Sequence, residues 1–168
     1  MQWPMLDLLA RYAHLLFALV WVGHNYAAFI QQPNFVPFQG DADAATRGRD
    51  LQQRMRREHG LFRYASLLVW FSGLLMLWQR GWLADALLLQ GPQAVIGLGA
   101  WIGTLMLLNL WLVLWPQQKK LLGFVPASLE ERVRCSRITF LSSRSNTILS
   151  IPLLFLMAAG GHGLQLFS

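Results

Sequence analysis

The run LLARYAHLLFALVWVGHNYAAFI, Leu8 to Ile30, decides how this chain is read. It is apolar, and it is long enough to cross a bilayer, which takes about 20 helical residues. Yet it contains His14 and His24. An ionisable side chain at membrane depth is costly and by default marks a functional site. Ten residues separate the two histidines, which a helix converts into about 15 Å along its axis and about 80° around it. They therefore sit at two depths and face two different neighbours.

Three more apolar runs follow, at about Leu61–Trp78, Ala94–Trp115 and Thr147–Phe167. Each approaches bilayer length, and a backbone in lipid must satisfy its own hydrogen bonds, so each is expected to be helical. The composition agrees. Of 168 residues, 55% are hydrophobic and only 13% are charged, about half the charged share of a soluble domain. The net charge of +6 does not point to nucleic acid, because it is concentrated in two connections. Residues 31–60 carry Arg47, Arg49, Arg54, Arg56 and Arg57. Residues 116–146 carry Lys119, Lys120, Arg132, Arg134, Arg137 and Arg144. Lys and Arg mark the cytoplasmic side of a span. The expected fold is an all-α integral membrane protein with a single domain over residues 1–168. It is a four-transmembrane-helix up-down bundle with cytoplasmic loops 31–60 and 116–146 and both termini outside. In a bacterium this places it in the inner membrane, as a multi-pass protein. Asp41 or Asp43 is the expected N-cap of the helix entering the second span, and SSRSNT, Ser142 to Thr147, that of the fourth. Gly97, Gly99 and Gly103 stripe the third span, as close helix packing requires.

Cys135 is the only cysteine. It excludes a disulfide within the chain, a CxxCH haem attachment and a thiolate zinc cluster. The first run is too long for the apolar part of a signal peptide and reads as a retained helix.

The chain has two further histidines, His59 and His162. His14 and His162 both lie a few residues in from the outer end of their spans, on helices that neighbour each other in an up-down bundle. His24 and His59 both lie toward the inner side, on helices one and two. Two imidazoles facing each other across a bundle suit the axial positions of a b-type haem. The iron ligands expected from this pairing are His14 with His162 and His24 with His59, for one haem b or two. Gly23, and the small residues around His162, would make room for the macrocycle. Phe17, Trp21, Trp70 and Phe71 would line it, and Arg54, Arg57 or Arg63 would meet its propionates. The competing explanations are a copper or other metal site and simple hydrogen bonding between helices.

A second constellation gathers at the inner ends of helices three and four. Asn109, Gln118, Lys119, Arg144 and Asn146 form a possible site for a small anionic or carbonyl-bearing molecule, such as a quinone head or a purine. The plainer explanation is a helix cap together with a cationic membrane anchor.

Three blocks carry a resemblance: RYAHLLFALVWVGHNY in helix one, NLWLVLWPQQKK in helix three, and SRSNTILSIPLLFLMAAGGH in helix four. Together they resemble the membrane domain of the bacterial cytochrome-c-dependent urate hydroxylase family (PuuD-like), in a short form without the cytochrome c domain. The histidines of that pattern in its first and fourth helices fall on His14 and His162. The resemblance implies a redox role: members oxidise urate and pass electrons to a carboxyl-terminal cytochrome c.

The primary functional expectation is a membrane b-type cytochrome that transfers electrons across or within the bilayer. Its redox partner would be a cytochrome c, a quinone or a respiratory oxidase. The alternatives are an accessory subunit of a respiratory oxidase complex, or a urate hydroxylase-like oxidoreductase that uses an external cytochrome c.

Overall fold

The computed structural model describes residues 4–40 and 48–163, with side chains in the second stretch from residue 60 onward. The described residues form helices and turns, with no strand among them. In chain order the helices are α1 (Pro4–Gln31), α2 (Gly48–Gln79), the short α3 (Leu83–Leu87) and α4 (Ala94–Leu108). A π-helical stretch (Asn109–Leu114) then leads into α5 (Trp115–Leu121), and α6 (Leu129–Gly161) closes the series. A 3₁₀ turn (Gly91–Gln93) opens α4. From Gly91 to Leu121 the third span is one continuous helix. Four segments are long and apolar enough to cross a membrane: Pro4–Gln31, Gly60–Gln79, Gly91–Leu121 and Leu129–Gly161.

Each span packs antiparallel to the next, and the fourth returns to the first. Asp7 meets Arg80, His14 meets Val69, and His24 meets Phe62, which sets the register of α1 against α2. Trp70 donates to Thr104, and Trp111 to Ser66, between α2 and the third span. Asn109 bonds Ser142 and Asn146 between the third span and α6. Thr147 and Ser150 reach Asn25 and Tyr26 between α6 and α1. The apolar centre is made by Trp21, Phe62, Ala65, Val69, Met106, Leu110, Leu114 and Leu153.

The ends of the helices follow local chemistry. Gly81 and Gly123 adopt φ of 70° and 74° just past α2 and α5. This left-handed conformation is open to glycine and lets the following amides bond back to the last turn. Trp82 N–H donates to Leu77 at 2.9 Å, and Phe124 N–H to Lys119 at 2.9 Å. At the start of α6, Ser128 Oγ accepts from Glu131 N–H at 3.2 Å. A cap of this kind stabilises a helix by about 1 kcal/mol. Glu131 also pairs with Lys120, tying α6 to the end of α5.

Three expectations about boundaries change. The fourth helix starts at Leu129 rather than near Thr147, so most of the expected loop 116–146 is helical. Ser128 is its cap, and Ser142–Thr147 lie in its interior. Ser and Asn favour caps because their side chains compete for backbone groups; here buried partners on neighbouring helices engage them instead. The expected loop 31–60 likewise contains the first part of α2, from Gly48. Asp41 and Asp43, the expected caps, lie outside the described residues. The third span also runs past its expected end at Trp115 to Leu121, and it contains the π-helical stretch, which ends two residues before Pro116. Proline has no N–H for the carbonyl one turn back, and a widened turn accommodates the defect.

The glycine stripe is a packing surface. A Cβ on Gly97 would stand 1.8 Å from the Ala86 carbonyl oxygen, and one on Gly99 would stand 2.9 Å from Met157 Cε. Gly160 faces Ile96 in the same way, at 2.4 Å from its Cγ1. Small residues thus let α3, α4 and α6 approach to backbone distance.

Candidate functional site

His14 and His162, the expected outer pair, have separate partners in the structure. His14 is half-buried between α1 and α2. Its Nδ1 lies 2.9 Å from the Val69 carbonyl oxygen and 3.2 Å from Ser72 Oγ. A carbonyl only accepts, so Nδ1 carries the proton and donates, leaving Nε2 with its lone pair. Gly73 makes the approach possible: a Cβ there would come within 3.1 Å of His14 Cε1. His162 caps the far end of α6 and is exposed. Its Nδ1 donates to the Ala158 carbonyl one turn back, at 2.8 Å. No described contact joins His14 to His162.

His24 also faces α2. Its ring stacks on Phe62, with centroids 4.1 Å apart and planes 14° from parallel. His59 lies outside the residues whose side chains are described, as do Arg54 and Arg57. Among the aromatics expected to line a cofactor, Trp21 is buried and Phe71 is exposed. The space beside Gly160 is occupied by Ile96, while Gly161 and Gly163 are open.

The second constellation divides. Asn109 and Asn146 come together in the core. Asn109 Nδ2 donates to Asn146 Oδ1 at 2.8 Å and to the Ser142 carbonyl at 2.9 Å, and Ser142 Oγ donates to Asn109 Oδ1 at 2.9 Å. Asn146 Nδ2 donates to the Met106 carbonyl at 3.2 Å. Both amides are engaged on their donor and acceptor sides, so the pair works as interhelical glue. Arg144 turns away to α1, where it donates to the Phe29 and Gln32 carbonyls at the helix end and lies against the Phe29 and Phe140 rings. Those carbonyls lack helical partners, and a cation at a helix C-terminus complements its dipole. Gln118 is buried, and its Oε1 has no partner among the described residues. Lys119 lies over Trp115.

Two groupings were not read from the sequence, although Trp21 and Arg63 themselves were named. Trp21 and Asn25 stand one turn apart on the buried face of α1, and Trp21 Nε1 and Asn25 Nδ2 have no acceptor among the described residues. The signal was an Asn four residues after a Trp in an apolar run, a spacing that puts both on one face. The other is Arg63, which sits among Tyr64, Trp111 and Trp115. The Trp111–Trp115 spacing was its signal.

Among the described residues, no three His, Cys, Asp or Glu side chains gather to hold a metal ion. The model of the urate oxidase N-terminal family matches residues 62–167, which take in most of the second span, the third and α6. The chain belongs to the urate oxidase N-terminal family. Its matched part includes His162, the Asn109–Asn146 pair and Arg63, while α1 with His14 precedes it. No curated protein and no solved structure matches the chain.

Proposed function

We propose that this member of the urate oxidase N-terminal family is a membrane-embedded electron-transfer protein that holds a b-type haem through His14 and His162. The observation that carries the reading is the shared pose of the two imidazoles. Each donates from Nδ1 to a backbone carbonyl, which leaves Nε2 as the nitrogen free to bind iron. Metal-binding histidines are oriented in this way. Two such imidazoles are a donor set that suits haem, so the chemistry of the residues fits the group. When bound, the haem supplies reversible one-electron oxidation and reduction. The chain's own part is positional. Val69 and Ser72 fix the ring of His14, and Gly73 leaves it room. His24 is left out of this ligand set because Phe62 lies against its ring.

In this reading the arginine-rich end faces the cytoplasm of a bacterium and both termini face the opposite side of the inner membrane. The electron partner is a cytochrome c, a quinone or a respiratory oxidase. Purification in mild detergent followed by a reduced-minus-oxidised spectrum tests the proposal. A b-type α-band is expected, and a well-folded protein without one would overturn it. His14→Gln and His162→Gln should each abolish or shift the band. Gln keeps an amide donor for the carbonyl while removing the imidazole.

The family's description favours a second reading, the oxidation of urate or a related purine, for which an external cytochrome c would be the electron acceptor. Urate-dependent reduction of added cytochrome c separates it from electron transfer alone.

A further inference from the structure

Arg63 and Lys119 converge on a single indole. Arg63 Cζ stands 3.7 Å from the centre of the Trp115 ring, and Lys119 Nζ stands 5.9 Å from it. Tyr64 and Trp111 flank the same guanidinium at 5.0 and 5.2 Å. The cluster is only partly buried, so it can be reached from outside. No described carboxylate pairs with either cation: Asp7 is taken by Arg11 and Arg80, and Glu131 by Lys120. The Nε of Arg63 is buried and has no acceptor among the described residues.

Rings attract a cation but do not accept its N–H bonds as an oxyanion does. Two positive charges stand near one ring here, and a negative group bound between them would lower their mutual repulsion. The depth of the cluster narrows the choice. Arg63 lies near the start of the span Gly60–Gln79, and Lys119 near the end of the span Gly91–Leu121. Both are therefore at the level of a bilayer's headgroups, where a Trp such as Trp115 is at home. Arg provides a planar fork for phosphate oxygens and Lys a point charge. Basic pockets between spans hold anionic headgroups by this chemistry.

We propose that Arg63, Lys119 and Trp115 form a binding site for an anionic phosphate group, from a lipid headgroup or from free phosphate. The site does not rest on the haem reading, since it uses neither His14 nor His162, and it gives Arg63 an anion other than the propionate first expected.

Native mass spectrometry of the whole protein in mild detergent tests it, with phosphatidylglycerol, phosphatidylcholine and inorganic phosphate as probes. Phosphatidylglycerol should be retained in preference to phosphatidylcholine. Arg63→Gln and Lys119→Gln should each weaken its retention about fivefold, in line with the worth of one basic residue at a membrane surface. Arg63→Lys should fall between, because it keeps charge and loses the fork. Displacement of the lipid by millimolar inorganic phosphate would identify free phosphate as an occupant of the same site. Equal retention of the two lipids by the unmodified protein would overturn the proposal. So would variants that hold phosphatidylglycerol as tightly as the parent. The lipid comparison on the unmodified chain does not depend on how any variant folds.

Discussion

The two ends of the bundle hold their helices together by different means. At the end bearing Arg63, Lys119 and Arg144, the spans are joined by side-chain hydrogen bonds: Asn109 to Asn146 and Ser142, Thr147 to Asn25, Arg144 to the last carbonyls of α1. At the other end α1 and α2 keep polar contacts, Asp7 with Arg80 and His14 with Val69 and Ser72, but α3, α4 and α6 are joined by absent side chains, with Gly97 against Ala86, Gly99 against Met157 and Gly160 against Ile96. Lipid gives helices no hydrophobic reason to associate, so close approach and polar contacts must do it. The contrast teaches that the two devices fail differently. Close backbone contact tolerates no added atom, whereas a polar contact tolerates substitution if both partners change together.

The largest effect is expected at Gly97. Replacement by Ala drives a methyl group into the backbone of α3, which cannot rotate out of the way as a side chain would. Overpacking in a core costs about 1–3 kcal/mol, and a backbone clash lies at or beyond the top of that range. Thermal unfolding in detergent should show a large drop or no folded protein. A stable Gly97→Ala would mean that the glycine end is looser than its geometry.

Next comes Asn109→Leu, which strands the Ser142 hydroxyl and the Asn146 Oδ1. An unsatisfied buried polar group costs about 1–3 kcal/mol. Adding Asn146→Leu should recover part of that loss, since residues in one network are not additive. A double variant equal to the sum of the singles would show that the two amides are not coupled. The smallest effect is expected at Gly103, where the nearest atom to a new Cβ is Leu153 Cδ1 at 3.8 Å, an ordinary contact. Gly103→Ala should change stability by less than about 1 kcal/mol, with the helix preference of Ala favouring a gain. A loss as large as that at Gly97 would make the stripe uniform and erase its gradation.

Much of the fold was legible because lipid permits so few solutions. A run such as Leu8–Ile30 can only be a helix if it spans, and the four runs were enough to place four helices. The start of the last helix was not legible. SSRSNT has the chemistry of a cap, and only the neighbouring Asn109 and Asn25 reveal why those residues sit inside a helix. The candidate site was legible in type but not in partnership. Matching His14 with His162 by depth took account only of rise along the axis. Direction around the axis is another matter. It depends on side-chain contacts, and Val69 and Ser72 claim one edge of the His14 ring. Arg63 was read only as a counter-charge, because its three aromatic neighbours lie on two helices and converge only in space.

The wide turn at Asn109–Leu114 reaches further than its six residues. A single extra residue in a helix advances everything after it by about 100° around the axis. The direction in which Trp115, Gln118 and Lys119 look is thus set upstream, by how many residues the turn consumes. Shortening that turn by one would leave the composition of the span almost untouched, yet it would swing the indole out from under Arg63.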